Sequence, residues 1–148
     1  MFPYNFFYSY RRSYVQKELE KSGFFHQSGP KTPMEESITS MHYFGYQTIR
    51  DAQKSISPGK TGHILDAGSG FGGSARYWVE QLETENTIVA CEYNSEFDEL
   101  SSIATNSLDK SVSSRITHVC DDLTTARFTG PKFDGVYSIL VFLHIPKR

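Results

Sequence analysis

The stretch "HILDAGSGFGGSARYW", His63–Trp78, constrains the fold of this chain more than any other. Gly68, Gly70, Gly72 and Gly73 put four glycines within six residues, between a short apolar run and a helix-like one. Glycine enters left-handed backbone without steric cost and lets a ligand or another backbone come close. A strand that ends in such a turn and passes directly into a helix opens a βαβ unit, whose ligand end lies at the strand's C-terminus. Gly68, Gly70 and Gly73 also meet the G-x-G-x-x-G spacing, so a nucleotide-bearing ligand is expected.

The chain downstream keeps the same grammar. "HILDA" reads as a buried strand, and Ala75, Trp78, Val79 and Leu82 mark one face of the next helix. "NTIVACEY" is a second strand, followed by a helix with Phe97, Leu100, Ile103, Ala104 and Leu108 on its apolar face. "RITHVC" is a third strand, and "FDGVYSILVFLHI" holds a fourth. Its near-continuous apolar run suits a strand covered on both faces. Strands alternating with helices predict an α/β fold: a parallel sheet with helices on both faces.

Upstream, "SYVQKELEKSGFF" predicts a short helix ended by Gly23, and "HQSGPKTP" a loop. A longer helix is expected from Thr32 onward, with Ile38, Met41, Gly45, Ile49, Ala52 and Ile56 on one face. The first ten residues carry Phe2, Tyr4, Phe6, Phe7, Tyr8 and Tyr10, an aromatic arm expected to dock on its own core. The chain therefore divides into an arm and short helix, residues 1–31, and a cofactor-binding half-domain, residues 32–148.

Composition narrows the function classes. A length of 148 residues suits one domain. A net charge of −2 with scattered basic residues gives no footprint for nucleic acid and no polybasic membrane patch. No apolar run is long enough to span a bilayer, and the start lacks the pattern of a secretory signal, so a cytoplasmic protein is expected. Cys91 and Cys120 are too few for a disulfide framework and are expected to be buried thiols. His26, His63 and His118 show no metal spacing, and no metal site is expected.

Two residues sharpen the reading of the turn. Asp66 precedes it at the end of the strand, where a carboxylate repels a pyrophosphate and suits a cationic or donor-rich ligand end. Gly72 extends the motif to G-x-G-x-G-G. "LDAGSGFGG" thereby resembles the first motif of the class I S-adenosylmethionine-dependent methyltransferases, in which the glycine turn lies against the amino-acid end and ribose of the cofactor. The resemblance implies a Rossmann-like methyltransferase fold with S-adenosylmethionine as cofactor. It implies Asp66, Gly68, Ser69, Gly70 and Gly72 at the turn, and Glu92 at the ribose hydroxyls, a bidentate role suited to a carboxylate. Tyr93 would cover the adenine. In "VCDDL" either Asp121, the better match, or Asp122 would meet the adenine amino group, with Leu123 adjoining. Ser138 would line the cofactor at the end of the fourth strand.

The match runs from about His63 to Arg148, and the lead-in "MHYFGYQTIRDA" together with "VFLHI" is most similar to small-molecule N-methyltransferases. The implied acceptor is a small molecule, an amine. His144, at the mouth of the crevice, is read either as a general base or substrate orienter, or as a histidine satisfied at a strand end. His42, Tyr43 and Tyr46 are read either as substrate contacts or as ordinary packing of the leading helix.

The family's sheet has seven strands, whereas four are found here. The expectation is a domain incomplete at its C-terminus, with the fourth strand an exposed edge that invites self-association. Two alternatives stand beside the methyltransferase: a truncated, non-catalytic cofactor-binding or interaction fragment, and an NAD-dependent oxidoreductase. Asp66 and the long helical lead-in speak against the last.

Overall fold

The computed structural model describes residues 13–14, 16–17, 20–21, 45–56, 59–82 and 84–145. The first six of these are helical, where a short helix is expected. The aromatic arm, His42 and Tyr43 lie outside the described residues.

The apolar runs read from the sequence become a four-stranded parallel sheet in the order β3-β2-β1-β4. The strands are β1 His63–Ala67, β2 Thr87–Glu92, β3 Ile116–Cys120 and β4 Gly135–Tyr137. The helices are α1 Gln47–Ile56, α2 Gly73–Gln81, α3 Ser95–Asn106 and the short α4 Lys110–Ser113. β1 lies between β2 and β4 and is buried along nearly its whole length. The expected α/β, Rossmann-like arrangement is therefore present.

Strand alternation and register put Ile64, Asp66, Ile88, Ala90, Ile116 and Tyr137 on one face of the sheet. Ile49 of α1, Ala75, Trp78 and Val79 of α2 and Val112 of α4 pack onto that face as one core. α3 reaches the same face, where the His118 imidazole Nε2 and the Thr105 hydroxyl are hydrogen-bonded at 3.0 Å. Leu65, Ala67 and Cys91 point to the other face, where Leu123 and Phe133 of the loop from Asp121 to Asp134 cover them. Among the described residues that second layer is loop rather than helix.

Several local expectations are corrected. The leading helix is not continuous through Gly45: this residue has φ 51, and the chain turns there before α1 begins. Ile103 is 51% exposed, because the buried stripe of α3 runs through Phe97, Leu100, Ser101, Ala104 and Thr105 and leaves Ile103 on its flank. Cys120 is exposed, whereas Cys91 is buried as expected. The fourth strand holds only Gly135–Tyr137. After it the chain bends at Leu140, φ 59, and closes a 3-10 turn over Phe142–His144. On the open side of β4 no described strand offers hydrogen bonds, so local turn bonds replace the ladder.

Polar groups fix the core's registration. Trp78 is fully buried and stacks on Tyr137 with ring centroids 5.3 Å apart. Its Nε1–H donates to Asn86 Oδ1 at 2.9 Å, and the Asn86 amide donates to the Gly59 carbonyl at 3.1 Å. Arg115 ties the end of α2 to β3, donating to the carbonyls of Val79 at 2.7 Å and Thr84 at 2.6 Å. Truncating Asn86 leaves a buried indole N–H without an acceptor, which costs about 1–3 kcal/mol. Urea unfolding of Asn86→Ala should show a loss of that size, and Trp78→Phe/Asn86→Ala should lose less than the two single changes summed. A loss under about 0.5 kcal/mol would contradict this account.

Candidate functional site

The C-terminal ends of β1, β2 and β3 come level through the register pairs Asp66–Ala90, Ala67–Cys91 and Glu92–Cys120. The glycine turn leaves β1 and folds over this end of the sheet. The N–H groups of Gly68 and Ser69 both donate to the Cys91 carbonyl at 2.9 Å, and that of Gly72 to the Ser69 carbonyl at 2.8 Å. Gly68, Gly70 and Gly72 all have positive φ, at 88, 56 and 70. The turn needs glycine at these positions, as its spacing predicts.

Two of the bare glycine faces are filled by the protein itself. A Cβ on Gly72 would lie 2.0 Å from the Ser101 hydroxyl and 2.9 Å from the Arg76 guanidinium. That glycine lets α2 start directly beside α3. A Cβ on Gly68 would lie 2.3 Å from Val141, so the chain after β4 rests against the turn. Close approach at these two positions is therefore first a matter of the chain's own packing.

Glu92 is the centre of the site. Its Oε2 accepts from the Gly70 N–H at 2.8 Å and its Oε1 from the Asn94 N–H at 2.8 Å. One carboxylate thus holds the tip of the glycine turn to the turn that starts α3. Asn94 in turn caps α3, its Oδ1 accepting from the N–H groups of Glu96 at 3.0 Å and Phe97 at 3.3 Å. Burial pushes the Glu92 carboxyl above its ordinary pKa, while the hydrogen bonds from Asn94 and Gly70 pull against that rise. Tyr93, the next residue, is 69% exposed beside it.

The tandem acids after β3 divide their work. The Asp121 N–H donates to the Glu92 carbonyl at 3.1 Å, which draws it to the same end of the sheet. Its Oδ1 accepts from the Asp122 N–H at 2.7 Å. Asp122 Oδ1 accepts from both the N–H and the hydroxyl of Thr124, at 2.8 and 2.7 Å. Asp122 is therefore a turn cap, and these bonds hold its carboxyl below the usual range. Leu123 packs against the second face of the sheet.

Asp66 is enclosed rather than open to the crevice. It is 3% exposed, and its register partner across β4 is Tyr137, 6% exposed. The Asp66 Oδ2 and the Tyr137 hydroxyl adjoin without a well-formed hydrogen bond, and the Ser69 hydroxyl is a further buried polar atom without one. Burial raises the Asp66 carboxyl to about 7, with Glu92 adding to the rise and Tyr137 opposing it. Tyr137 is the site neighbour the sequence reading missed; its signal is the register, which becomes visible only once β4 is paired with β1.

The remaining predicted residues scatter. Ser138 donates its hydroxyl to the Ala67 carbonyl at 2.9 Å, pinning the end of β4 to β1. Tyr46 is buried, stacked on Tyr77 at 4.0 Å between centroids, and belongs to the core. His144 is exposed at the end of the 3-10 turn, its N–H donating to the Val141 carbonyl at 2.8 Å. Among the described residues no group of three or more His, Cys, Asp or Glu is arranged to hold a metal ion.

This geometry has relatives. Several solved structures share the fold. A protein assigned as a sarcosine dimethylglycine methyltransferase from Galdieria sulphuraria is 16% identical, with a TM-score of 0.53 over 62% of this chain and 33% of that one. YjhP from E. coli is 18% identical, with a TM-score of 0.52 over 66% of this chain and 38% of that one. A protein-L-isoaspartate O-methyltransferase is 14% identical, with a TM-score of 0.55 over 86% of this chain and 47% of that one. The matched part thus spans less than half the length of each. No curated protein sequence matches the chain. Residues 65–148, more than half of the chain, match the profile of the methyltransferase domain. They begin in β1 and take in the glycine turn, Glu92 and the tandem acids, and with them the chain belongs to the methyltransferase domain family, whose cofactor is S-adenosylmethionine.

Proposed function

We propose that this chain is the cofactor-binding half, residues 32–148, of a cytoplasmic methyltransferase acting on a small molecule, an amine, with residues 1–31 as an appended arm. The observation that carries the reading is the junction at Glu92, where its carboxylate meets Gly70 of the turn and its carbonyl meets Asp121. It brings a turn and two acids to one end of three adjacent strands, where open α/β sheets bind ligands. Among the described residues no helix is long and apolar enough to cross a membrane.

The residues present fit the cofactor by the chemistry of their donors and acceptors. Glu92 offers a carboxylate for two ribose hydroxyls, exchanging its backbone amide partners for them. Asp121 offers the acceptor for the adenine amino group, since Asp122 is committed to its turn. The exposed Tyr93 ring offers a stacking face. Gly68, Ser69, Gly70 and Gly72 would shape the floor under the amino-acid end, and Asp66 lies buried in β1 two residues before that turn. When bound, S-adenosylmethionine supplies a methyl group already activated on a sulfonium. The chain's part is to orient the donor and exclude water. In this reading His144 would be the group that receives a proton from an amine acceptor before attack.

A second reading, an interaction fragment that associates with itself, is favoured by one observation. Val136, Phe142 and Leu143 along and after the open edge are 54%, 55% and 58% exposed.

Calorimetric titration with S-adenosylhomocysteine tests the first reading. Binding should weaken about tenfold or more in Glu92→Ala and Asp121→Ala and stay near wild type in Asp122→Ala. No binding by the folded chain, with concentration-dependent dimerisation in the centrifuge, would move the function to the second reading.

Asp66 has a separate pH signature. Its carboxyl titrates at 3.8 in the unfolded chain and at about 7 in the fold. Below pH 3.8 it is protonated in both states and costs nothing. As the pH rises toward 7 only the unfolded state ionises, so stability falls. His118 works in the opposite direction: burial and Arg76 lower it from 6.5 to about 4, so its contribution is lost as the pH falls through that window. Asp66→Asn leaves the His118 effect in place and removes the other. The stability of Asp66→Asn relative to wild type should therefore rise between pH 4 and pH 7, by a few kcal/mol at most. A difference independent of pH would contradict the buried, neutral carboxyl.

A further inference from the structure

Phe71 is the large residue in the middle of the glycine turn, between Gly70 and Gly72, at a position whose type the motif leaves open. In the fold it is 1% exposed. Its ring meets that of Phe97, itself 2% exposed, with centroids 4.3 Å apart and planes inclined by 38°. Neither ring belongs to the apolar clusters that cover the two faces of the sheet. The pair joins the glycine turn to α3 instead.

α3 presents the turn with a matching row. Phe97 and Ser101 stand about one helical turn apart on the same side of α3. Phe97 receives the ring of Phe71, and the Ser101 hydroxyl lies against the bare face of Gly72, 2.0 Å from where a Cβ would stand. The row is fixed at its start, because the Phe97 N–H donates to the Asn94 cap at 3.3 Å. On the other side of Phe71 the Gly70 N–H reaches Glu92 at 2.8 Å. Gly70 and Gly72 have φ 56 and 70. Glycine leaves such angles easily, and that freedom costs entropy when a ligand requires one form. A buried side chain between the two glycines restricts it. Rotating either glycine would draw the phenyl ring out of its apolar seat.

We propose that Phe71 is a positioning residue for the methyl donor. Seated on Phe97, it holds Gly70 and Gly72 in their left-handed conformations, so that the turn meets the donor's amino-acid end already formed. It touches neither donor nor acceptor and acts through the backbone of its two neighbours. The proposal rests on the cofactor reading given above, in which that end of the donor lies on the turn.

The test is calorimetric titration of the wild-type chain, Phe71→Leu, Phe71→Ala and Phe97→Leu, each checked for cooperative urea unfolding. The ligands are S-adenosylhomocysteine and 5′-methylthioadenosine. Both carry adenine and ribose, and only the first has the amino-acid end. Any change at Glu92 or Asp121 therefore acts on both and cancels in the ratio of their affinities. That ratio should fall about tenfold in Phe71→Ala, through the added cost of ordering the turn. Phe71→Leu keeps part of the contact and should lose less. Phe97→Leu weakens the seat from the helix side and should lower the same ratio. The 15N order parameters of the Gly70 and Gly72 amides should drop in each folded variant and recover when S-adenosylhomocysteine binds. An unchanged ratio in the folded variants, as a merely structural role predicts, overturns the proposal while leaving the cofactor reading intact. Unchanged order parameters do the same, and they decide where 5′-methylthioadenosine binds too weakly for a ratio. If Phe71→Ala does not fold, the two leucine variants decide. No binding of S-adenosylhomocysteine by the folded wild type overturns the cofactor reading, and the role of Phe71 with it.

Discussion

The hydrogen bonds made by Glu92 are the constraint on which the rest of the site depends. A glycine turn with three left-handed residues has many conformations open to it, and backbone freedom is the cost of using glycine. The Glu92 carboxylate removes that freedom at the tip by accepting from Gly70, while its other oxygen fixes the entry to α3 through Asn94. The Glu92 carbonyl then receives the Asp121 N–H. One residue at the end of β2 thus organises the turn from β1, the start of α3 and the loop after β3. Burial raises the carboxyl's pKa, and its amide partners oppose that shift, so the ionised form is supported by the same bonds that shape the turn.

Much of the fold is legible in the sequence because each signal is strong and local. The glycines demand positive φ, the β-branched run Thr87–Val89 suits a strand, and Ala75, Trp78 and Val79 recur on the buried face of α2. The failures have physical causes. "SILVFL" is apolar and β-prone, yet strand length depends on a partner to pair with, and beside β4 the described residues offer none. Gly45 fits a helical spacing, but its conformational freedom lets the chain turn there instead. Ile103 loses its place on the buried face to Ser101 and Thr105, because helix orientation is set by the whole stripe and by the His118 contact.

The site was legible in its residues and less so in their roles. Glu92 and the tandem acids lie together at the strand ends, as the alternation of strands and helices requires. What periodicity cannot show is how buried or how occupied each group is. Asp66 reads as a carboxylate facing a crevice; in the fold it is enclosed beside Tyr137, where desolvation makes it a much weaker acid. The sequence favours Asp121 over Asp122 only as the better motif match, and what it cannot show is that Asp122 is the one bonded to Thr124. Gly68 and Gly72 read as room for a ligand, yet Val141 and Ser101 fill that room from distant parts of the chain.

The central claim is that the turn, Glu92 and Asp121 form one adenosine-binding surface at the ends of adjacent strands. Amide NMR of the 15N-labelled chain titrated with S-adenosylhomocysteine tests it most directly. The account predicts that the amides of Gly68–Gly72, Glu92–Asn94 and Asp121–Leu123 shift together along one saturation curve, with Gly70 and Asn94 moving most as Glu92 exchanges their bonds for ribose. Shifts confined to one of these segments, or centred on the far end of the sheet around His63 and Phe133, would contradict it.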